Sequence, residues 1–302
     1  MLADNSNHLT TSEPTAGDHP RPVVLLLLDG WGIAPVAENN AIAAAETPTW
    51  LSLIREYPVA LLTPGEKDLN RRYLTLGVGQ EAVRDEVKPL LSLTAILSAA
   101  GRRQLKITET ERLAALTYFF NGREEDKAVG EDWKIISSAA TASAKPTVVL
   151  KKIVAAVIAA VSGDSPVDMI VAALPILDLT AQSGNFEAVK KAVEALDKSL
   201  RNIWTEVEAK KGVLIISAAC GNAERMSNLG TDLVDREMTA NPVPLLIVGQ
   251  EFGGKTIGQN DAIGDDLSLL APSGTLADLA PTILQILQIP QPPTMTGKSL
   301  LD

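Results

Sequence analysis

The chain has 302 residues, of which 46% are hydrophobic and 21% are charged, so it can bury a sizeable core and is not a disordered polymer. Its formal net charge of −10 disfavours nucleic acid or an anionic membrane surface as the main partner, because both select for clustered lysine and arginine. A single cysteine, Cys220, excludes an intramolecular disulfide framework and a cysteine-rich zinc site, and it favours a reducing compartment.

Residues 1–20 are polar and have neither a basic start nor an apolar central run, so they predict a flexible tail rather than a signal peptide. The longest apolar runs that follow, Val23–Leu28 and Ile153–Val161, are far shorter than the roughly 20 residues that span a bilayer. We therefore expect a soluble, cytoplasmic protein without a membrane partner. Residues 21–302 contain no repeat and no low-complexity linker, which predicts a single domain.

After the tail, short β-rich segments alternate with longer helical patterns. This alternation predicts a three-layer α/β fold, in which a mostly parallel sheet has helices on both faces. Helical spacing of apolar residues is clearest in the segment that contains Val189, Val193 and Leu196. The predicted strands are Val23–Leu28, Val59–Thr63, Gln104–Thr108, Ala115–Phe120, Lys134–Ser137, Met169–Ala173, Val213–Ser217 and Pro244–Val248. The predicted helices are Leu90–Gly101, Pro146–Val161, Asn185–Lys211 and Thr275–Leu287.

The first predicted strand ends in Asp29, followed by Gly30, Trp31 and Gly32. Ligands of open α/β sheets bind at the carboxyl ends of the strands, so Asp29 is a candidate site residue. A cap for the following turn is an equally good interpretation of this carboxylate taken alone.

Several segments extend this motif in a fixed order. They are LLLDGWG with NAIAAAETPTW, ITETERLAALTYFFNGREE, SGNFEAVKKAVEALDKSL, GNAERM, TANPVPLLIVG and LADLAPTILQILQIPQPPTMTGKSLL. In this order they resemble the cofactor-independent phosphoglycerate mutases over nearly the whole chain after the tail. The resemblance implies an alkaline-phosphatase-like fold, two divalent cations at the strand ends, and a serine that carries the phosphoryl group. Two cations about 3.5–4 Å apart would activate the nucleophile and neutralise charge during an in-line displacement.

The resemblance places seven ligand or nucleophile positions on this chain, and five of them are unsuitable or weak. Asp29 and Asp178 match two of the family's metal aspartates. The family's histidine after the second aspartate corresponds to Gln182, and an aspartate and a histidine correspond to Ala219 and Cys220. The remaining histidine aligns with Met238, and the nucleophilic serine aligns more loosely with Leu69.

Both histidines of the chain, His8 and His19, lie in the predicted tail. A metal site in the folded domain would therefore lack imidazole, which excludes the family's histidine-containing centre. Carboxylates alone can still hold magnesium or similar cations, so Asp29 and Asp178 remain the alternative ligands for Mg²⁺ or Mn²⁺. We expect neither a cofactor nor a metal.

The family's second domain, inserted after the nucleophile segment, supplies arginines that grip the substrate. Here about ten residues, Gly79 to Lys88, separate the motif remnant from the next predicted helix, so we expect that this domain is deleted. Arg112 stands where the family has a lysine near the transferred phosphate. It could keep a positive charge in the cleft that compensates the two aspartates, or hold a phosphorylated ligand together with Asn222. We favour the interpretation that Arg112 lies on a helix surface.

The preserved packing motifs and the altered chemical positions favour a catalytically inactive, phosphoglycerate-mutase-like pseudoenzyme that serves as a scaffold or binds a protein partner. The alternative is an altered metal-dependent phosphomutase, a phosphomonoesterase or a phosphometabolite-binding protein that uses Asp29 and Asp178. The mapping predicts that Asp29, Asp178, Gln182, Ala219 and Cys220 meet in one crevice. We expect this crevice to be water-filled, so that Asp178→Asn is neutral or mildly stabilising.

Three further features have simpler interpretations. The sequence of residues 249–256, GQEFGGKT, matches a phosphate-binding loop, but the Gly-rich, acidic stretch after it does not predict the required helix, so we interpret it as a surface loop. Cys220 lacks a histidine base and is expected to fill space. We expect Asp261, Asp265 and Asp266 to form a solvated loop, and Trp31 to lie in the core or the crevice wall.

Overall fold

A computed structural model describes residues 20–81, 91–137, 146–163, 167–227, 233–258 and 265–301. The described strands form one eight-stranded sheet with the order β4-β3-β5-β1-β6-β7-β2-β8. The strands are β1 (Val23–Leu27), β2 (Val59–Thr63), β3 (Gln104–Glu109), β4 (Glu131–Ile136), β5 (Met169–Ala173), β6 (Val213–Ser217), β7 (Val243–Val248) and β8 (Gly274–Thr275).

The sheet is mostly parallel, as predicted. Strand β7 runs antiparallel to both of its neighbours, β6 and β2, whereas the other described strand pairs are parallel. The central strand β1 has the sequence VVLLL, and all five side chains are buried because helices cover both faces of the sheet.

The α-helices are α1 (Pro48–Glu56), α2 (Leu69–Val78), α3 (Leu93–Ala99), α4 (Pro146–Ser162), α5 (Ile176–Ala181), α6 (Phe186–Ala209) and α7 (Leu279–Ile286). Helix α6 contacts α1, α4 and α5, whereas α2 contacts α3 and α7. These two groups are the outer layers of the three-layer α/β fold, which confirms the predicted fold class. Among the described residues, none of the helices combines the length and the apolar character that crossing a bilayer requires.

Local sequence explains where the principal helices begin and end. Asn185 caps α6 by accepting a hydrogen bond from the amide of Ala188 at 3.0 Å. Asp68 caps α2 in the same way, and α2 ends at Gly79, whose φ of +61° suits glycine.

One predicted strand is wrong. The segment Ala115–Phe120 forms a π-helix, Ala115–Phe119, which follows a 3₁₀ turn at Thr110–Arg112. Periodicity does not separate a short apolar strand from a buried helical turn, and here the segment packs against α2 instead of joining the sheet.

Candidate functional site

The predicted crevice lies at the carboxyl ends of β5, β1 and β6, which are neighbours in the sheet. Asp29 follows β1, Asp178 lies in α5 after β5, and Ala219 and Cys220 follow β6. The backbone joins these segments, because the amide of Asp178 donates to the carbonyl of Asp29 at 3.1 Å and the amide of Gly30 donates to that of Cys220 at 2.8 Å. The predicted neighbours therefore meet, although they are far apart in sequence.

Gly30 explains how closely the chain segments approach. Its φ is +99°, and a Cβ on it would lie 2.4 Å from the backbone nitrogen of Asp178. A side chain at this position would push α5 away from the end of β1, so the glycine is required for the crevice to close.

Arg112 lies between the two aspartates. Its Nε donates to Oδ2 of Asp29 at 3.0 Å, and its Nη2 donates to Oδ2 of Asp178. Only 7% of its side chain is exposed, so the interpretation that Arg112 lies on a helix surface is wrong. The reason is positional: the 3₁₀ turn that carries Arg112 follows β3, which pairs with β5, so the side chain enters the same edge of the sheet.

Asp29 is fully buried, and both oxygens of its carboxylate accept hydrogen bonds. Its carboxylate accepts hydrogen bonds from the hydroxyl of Tyr73 at 2.8 Å and from the amide of Ala219 at 3.2 Å, in addition to the bond from Arg112. Burial raises the pKa of Asp29 above its ordinary value, and the charge of Asp178 adds to this rise, while Arg112 and Tyr73 oppose it.

For the guanidinium of Arg112, the neighbouring acidic groups outweigh the effect of burial on the pKa. Burial alone would lower its pKa, but Asp29, Tyr73 and Asp178 favour the charged form and raise the pKa above the ordinary value. Arg112 is therefore a cation at neutral pH.

Asp178 is 3% exposed, which contradicts the expectation of a water-filled crevice around it. Besides Arg112, its carboxylate accepts hydrogen bonds from Nδ2 of Asn222 at 3.0 Å and from Nε2 of Gln182 at 3.4 Å. Repulsion between the two aspartates is thus compensated by protein groups.

The other predicted site positions carry no charged group. Ala219 and Cys220 are completely buried, whereas Met238 and Leu69 are partly buried, the latter as the first residue of α2. Burial raises the pKa of the Cys220 thiol well above its usual value, and Asp29 and Asp178 reinforce the effect. The thiol is therefore not poised for nucleophilic chemistry.

Sequence reasoning missed two residues of α2 that complete the crevice, Tyr73 and Arg72. Arg72 is 3% exposed and donates to the carbonyls of Ala219 and Thr239, each at 3.2 Å. Burial lowers the pKa of Arg72 despite the nearby Cys220 and Asp29. Arg72 and Tyr73 follow the loosely aligned Leu69 by three and four positions. Residues at this spacing share a helix face, so the sequence contained a signal for both.

Glu224 was quoted within a motif but given no role. It is 2% exposed, and its carboxylate accepts hydrogen bonds from the amides of Gly32 at 3.2 Å and Asn222 at 2.7 Å. It also accepts from the hydroxyl of Thr239 and from Nδ2 of Asn241 at 3.0 Å. One carboxylate thus connects the loops that follow β1 and β6 with the segment before β7.

A second buried polar cluster lies away from the crevice. Lys106 on β3 is 1% exposed; its ammonium contacts Glu131 at 2.8 Å and donates to Thr94 at 2.9 Å and to Asn121. Burial lowers the pKa of Lys106 to about 8, although Glu131 opposes this shift. Burial alone would raise the pKa of Glu131, but the ammonium of Lys106 outweighs burial and lowers this pKa below its ordinary value.

The remaining sequence features have structural positions. No helix follows the loop of residues 249–256 within the described residues up to 258, in agreement with its interpretation as a surface loop. Trp31 is fully buried and packs against Trp50 in a tilted arrangement, with ring centroids 4.8 Å apart. Asp265 pairs with Arg55, and Asp266 caps a 3₁₀ turn, while Asp261 lies outside the described residues.

The residues of the crevice do not fit the two-cation centre that the resemblance implies. The part of the chain that the structure describes contains no cluster of three or more His, Cys, Asp or Glu side chains that could hold a metal ion. The two aspartates that could act as ligands direct oxygens at the guanidinium of Arg112. Both aspartates therefore have a positively charged side chain of the protein as their partner.

Two aspartates that follow neighbouring strands of a three-layer α/β fold are the arrangement that the motifs predicted. Consistent with this, the model of the metalloenzyme superfamily matches residues 21–291, and the chain belongs to that superfamily. The fold resembles a Leishmania mexicana phosphoglycerate mutase solved at low cobalt concentration, with a TM-score of 0.74 and 13% identity over 93% of this chain and 97% of that chain. It also resembles the alkaline phosphatase of the Antarctic bacterium TAB5, with a TM-score of 0.57 and 10% identity over 90% and 99% of the two chains.

Within the superfamily, the chain is similar to proteins named 2,3-bisphosphoglycerate-independent phosphoglycerate mutase, which confirms the resemblance predicted from the motifs. The relative from Desulforudis audaxviator is 37% identical over 214 residues, which are 70% of this chain and 38% of that protein. The relative from Chloroflexus aurantiacus is 36% identical over 211 residues, 69% of this chain and 37% of that protein. The chain thus spans less than two fifths of the length of these relatives. Deletion of the inserted domain stays a prediction.

Proposed function

We propose that this chain is a phosphoglycerate-mutase-like protein without metal-dependent mutase activity, which acts as a non-catalytic module that binds a protein partner. The observation that carries the proposal is the buried bridge from Arg112 to Asp29 and Asp178. A cation that belongs to the chain holds the position where the chemistry of the family needs exchangeable divalent ions.

Electrostatics oppose the entry of a metal ion into this arrangement. At an effective dielectric constant of about 20, a divalent cation about 4 Å from a guanidinium is repelled by about 8 kcal/mol. The aspartate oxygens that would offset this repulsion already accept hydrogen bonds from Arg112, Tyr73 and Asn222.

The groups needed for phosphoryl transfer are also missing from the predicted positions. Leu69 has no nucleophilic atom, and the Cys220 thiol is buried with a raised pKa. The side chains of Gln182 and Met238 cannot act as general acids or bases at neutral pH. The retained core beside a crevice without a nucleophile at the predicted positions supports a role in which the fold is needed and the reaction is not.

The test is an assay of the purified chain for phosphoglycerate mutase and phosphomonoesterase activity with added Mn²⁺ or Mg²⁺. An Asp29→Ala variant, purified in parallel, controls for mutase from the expression host. We expect equal rates in the two preparations. Metal-dependent turnover in the wild type that disappears in Asp29→Ala would overturn the proposal in favour of an altered metal-dependent phosphotransferase.

The partner-binding part has its own test. We expect a tagged chain to recover a partner from its native host in a stoichiometric complex, and the purified partner to rebuild that complex at micromolar concentration. Failure of every recovered protein to rebind in purified form would contradict this part of the proposal.

A further inference from the structure

Two buried arginines on different elements reach the crevice. Arg112 enters from the end of β3 and bridges Asp29 and Asp178. Arg72 enters from α2, and its three nitrogens donate to the carbonyls of Glu66 at 2.5 Å and of Ala219 and Thr239 at 3.2 Å each.

The contacts of Arg72 coincide with the altered positions. Ala219 stands where an aspartate is expected, and Thr239 follows Met238, which stands where a histidine is expected. Arg72 therefore connects, through backbone carbonyls, two segments whose side chains have lost their metal-binding groups.

Burial makes these cations necessary. Asp29, Asp178 and Glu224 are each at most 3% exposed, and unpaired carboxylates in such positions cost several kcal/mol each. Arg112 and Arg72 supply two positive charges against these three carboxylates, and hydrogen bonds from neutral donors satisfy Glu224.

We infer that the guanidinium groups of Arg112 and Arg72 replace two divalent cations as the permanent positive charges of this crevice. A consequence is that the chain contains a latent cation site beneath Arg112. Its ligands would be the oxygens of Asp29 and Asp178 and the Oδ1 atom of Asn222.

Asn222 supports this ligand set independently. Its Nδ2 donates to Asp178 at 3.0 Å and to the carbonyl of Arg236 at 3.4 Å, so the orientation of the amide is defined by two acceptors. Its Oδ1 is buried and has no hydrogen-bond partner among the described residues. A buried amide oxygen without a partner among the described residues, on a residue that is itself hydrogen-bonded to Asp178, is a suitable ligand for a hard cation.

The test measures melting temperatures of full-length variants with and without 1 mM Mn²⁺. We expect no response from the wild type and a lower melting temperature for metal-free Arg112→Ala, followed by a rise of about 3 °C or more with Mn²⁺. The double variant Arg112→Ala/Asp178→Asn should lose this rise. Arg72→Met should be destabilised but should show no response to Mn²⁺, because Ala219 and Met238 offer no ligand.

A milder substitution keeps the test decisive if Arg112→Ala does not fold. Arg112→Gln retains hydrogen-bond donors but removes the charge, and we expect it to be less stable than the wild type and to gain stability from Mn²⁺. Equal stability of the Arg112→Gln variant and the wild type, or Mn²⁺ responses no larger than that of the wild type, would overturn the inference.

The inference rests on the proposed function in one respect, since both require that the wild-type crevice contains no divalent cation. Their failures are distinguishable. Metal-dependent turnover by the wild type would contradict the proposed function, whereas unchanged melting temperatures of the arginine variants would contradict only the replacement of cations.

Discussion

Replacing Asp178 with asparagine tests whether the crevice is an internally bonded unit. The substitution preserves the size of the side chain but removes its charge. The carboxylate of Asp178 accepts hydrogen bonds from Arg112, Asn222 and Gln182. An asparagine offers one oxygen to these three donors and places an N–H group against at least one of them.

The balance of energies favours destabilisation. At about 4 Å and an effective dielectric constant of about 20, the lost attraction between Arg112 and Asp178 is about 4 kcal/mol. Relief of the repulsion between Asp178 and Asp29 and of the cost of burying the charge recovers part of it. A buried donor left without an acceptor costs about 1–3 kcal/mol. We expect a net loss of about 1–3 kcal/mol, opposite to the expectation for a water-filled crevice.

Urea unfolding at pH 7 measures this difference, and the melting temperature should fall by about 2–10 °C. The matched control is Asp126→Asn, which removes the same charge at an exposed position and should change stability by less than about 0.5 kcal/mol. If Asp178→Asn is as stable as the wild type, the reasoning from the internal bridge is refuted.

Three further predictions concern other buried groups. Cys220 should not react with iodoacetamide in the native protein at pH 7.4 but should react fully in urea, as followed by mass spectrometry; rapid native labelling would contradict its burial and raised pKa. Glu224→Gln should lower the free energy of unfolding by about 1–3 kcal/mol, because four donors face the carboxylate, whereas the exposed Glu38→Gln should be neutral. The pKa of Lys106 is lowered from 10.5 to about 8 in the folded chain. Between about pH 8 and pH 10.5 the folded chain therefore binds fewer protons at Lys106 than the unfolded chain does, so the contribution of Lys106 to stability should rise with pH in that range. Urea unfolding at pH 7.5, 9 and 10 should therefore show a growing difference between wild type and Lys106→Met, and a constant difference would contradict this assignment.

The sequence was sufficient for most of the fold because its strands are buried on both faces. Val59–Thr63, Met169–Ala173 and Val213–Ser217 were predicted with the bounds that the structure gives. Such continuous apolar runs between helical patterns have few alternatives in an α/β chain. The strand predicted at Ala115–Phe120 was wrong because an apolar run this short does not distinguish the period of a strand from that of a helix.

The crevice was less predictable than the fold. The motifs brought Asp29, Asp178, Ala219 and Cys220 together correctly, since each follows a strand. The favoured interpretation of Arg112 as a surface residue was wrong because its partners are 83 and 66 residues away in sequence, and no local pattern distinguishes a buried guanidinium from one on a helix surface. Which charge neutralises a buried carboxylate is decided by tertiary packing.

The π-helix at Ala115–Phe119 has a consequence for the tolerance of this chain to changes in length. Arg112 lies before it and Asn121 after it. The side chain of Arg112 lies in the crevice, whereas that of Asn121 lies in the second buried polar cluster, around Lys106. Each residue of an α-helix turns the chain by about 100° around the helix axis. The extra residue of a π-turn therefore changes the angle between the directions of the side chains before and after it. Gly77, where a Cβ would lie 1.9 Å from the carbonyl oxygen of Phe120, restricts sliding of the segment along α2. A deletion of one residue between the two anchors would convert the segment towards a regular helix, and it would then satisfy one buried polar cluster at the expense of the other.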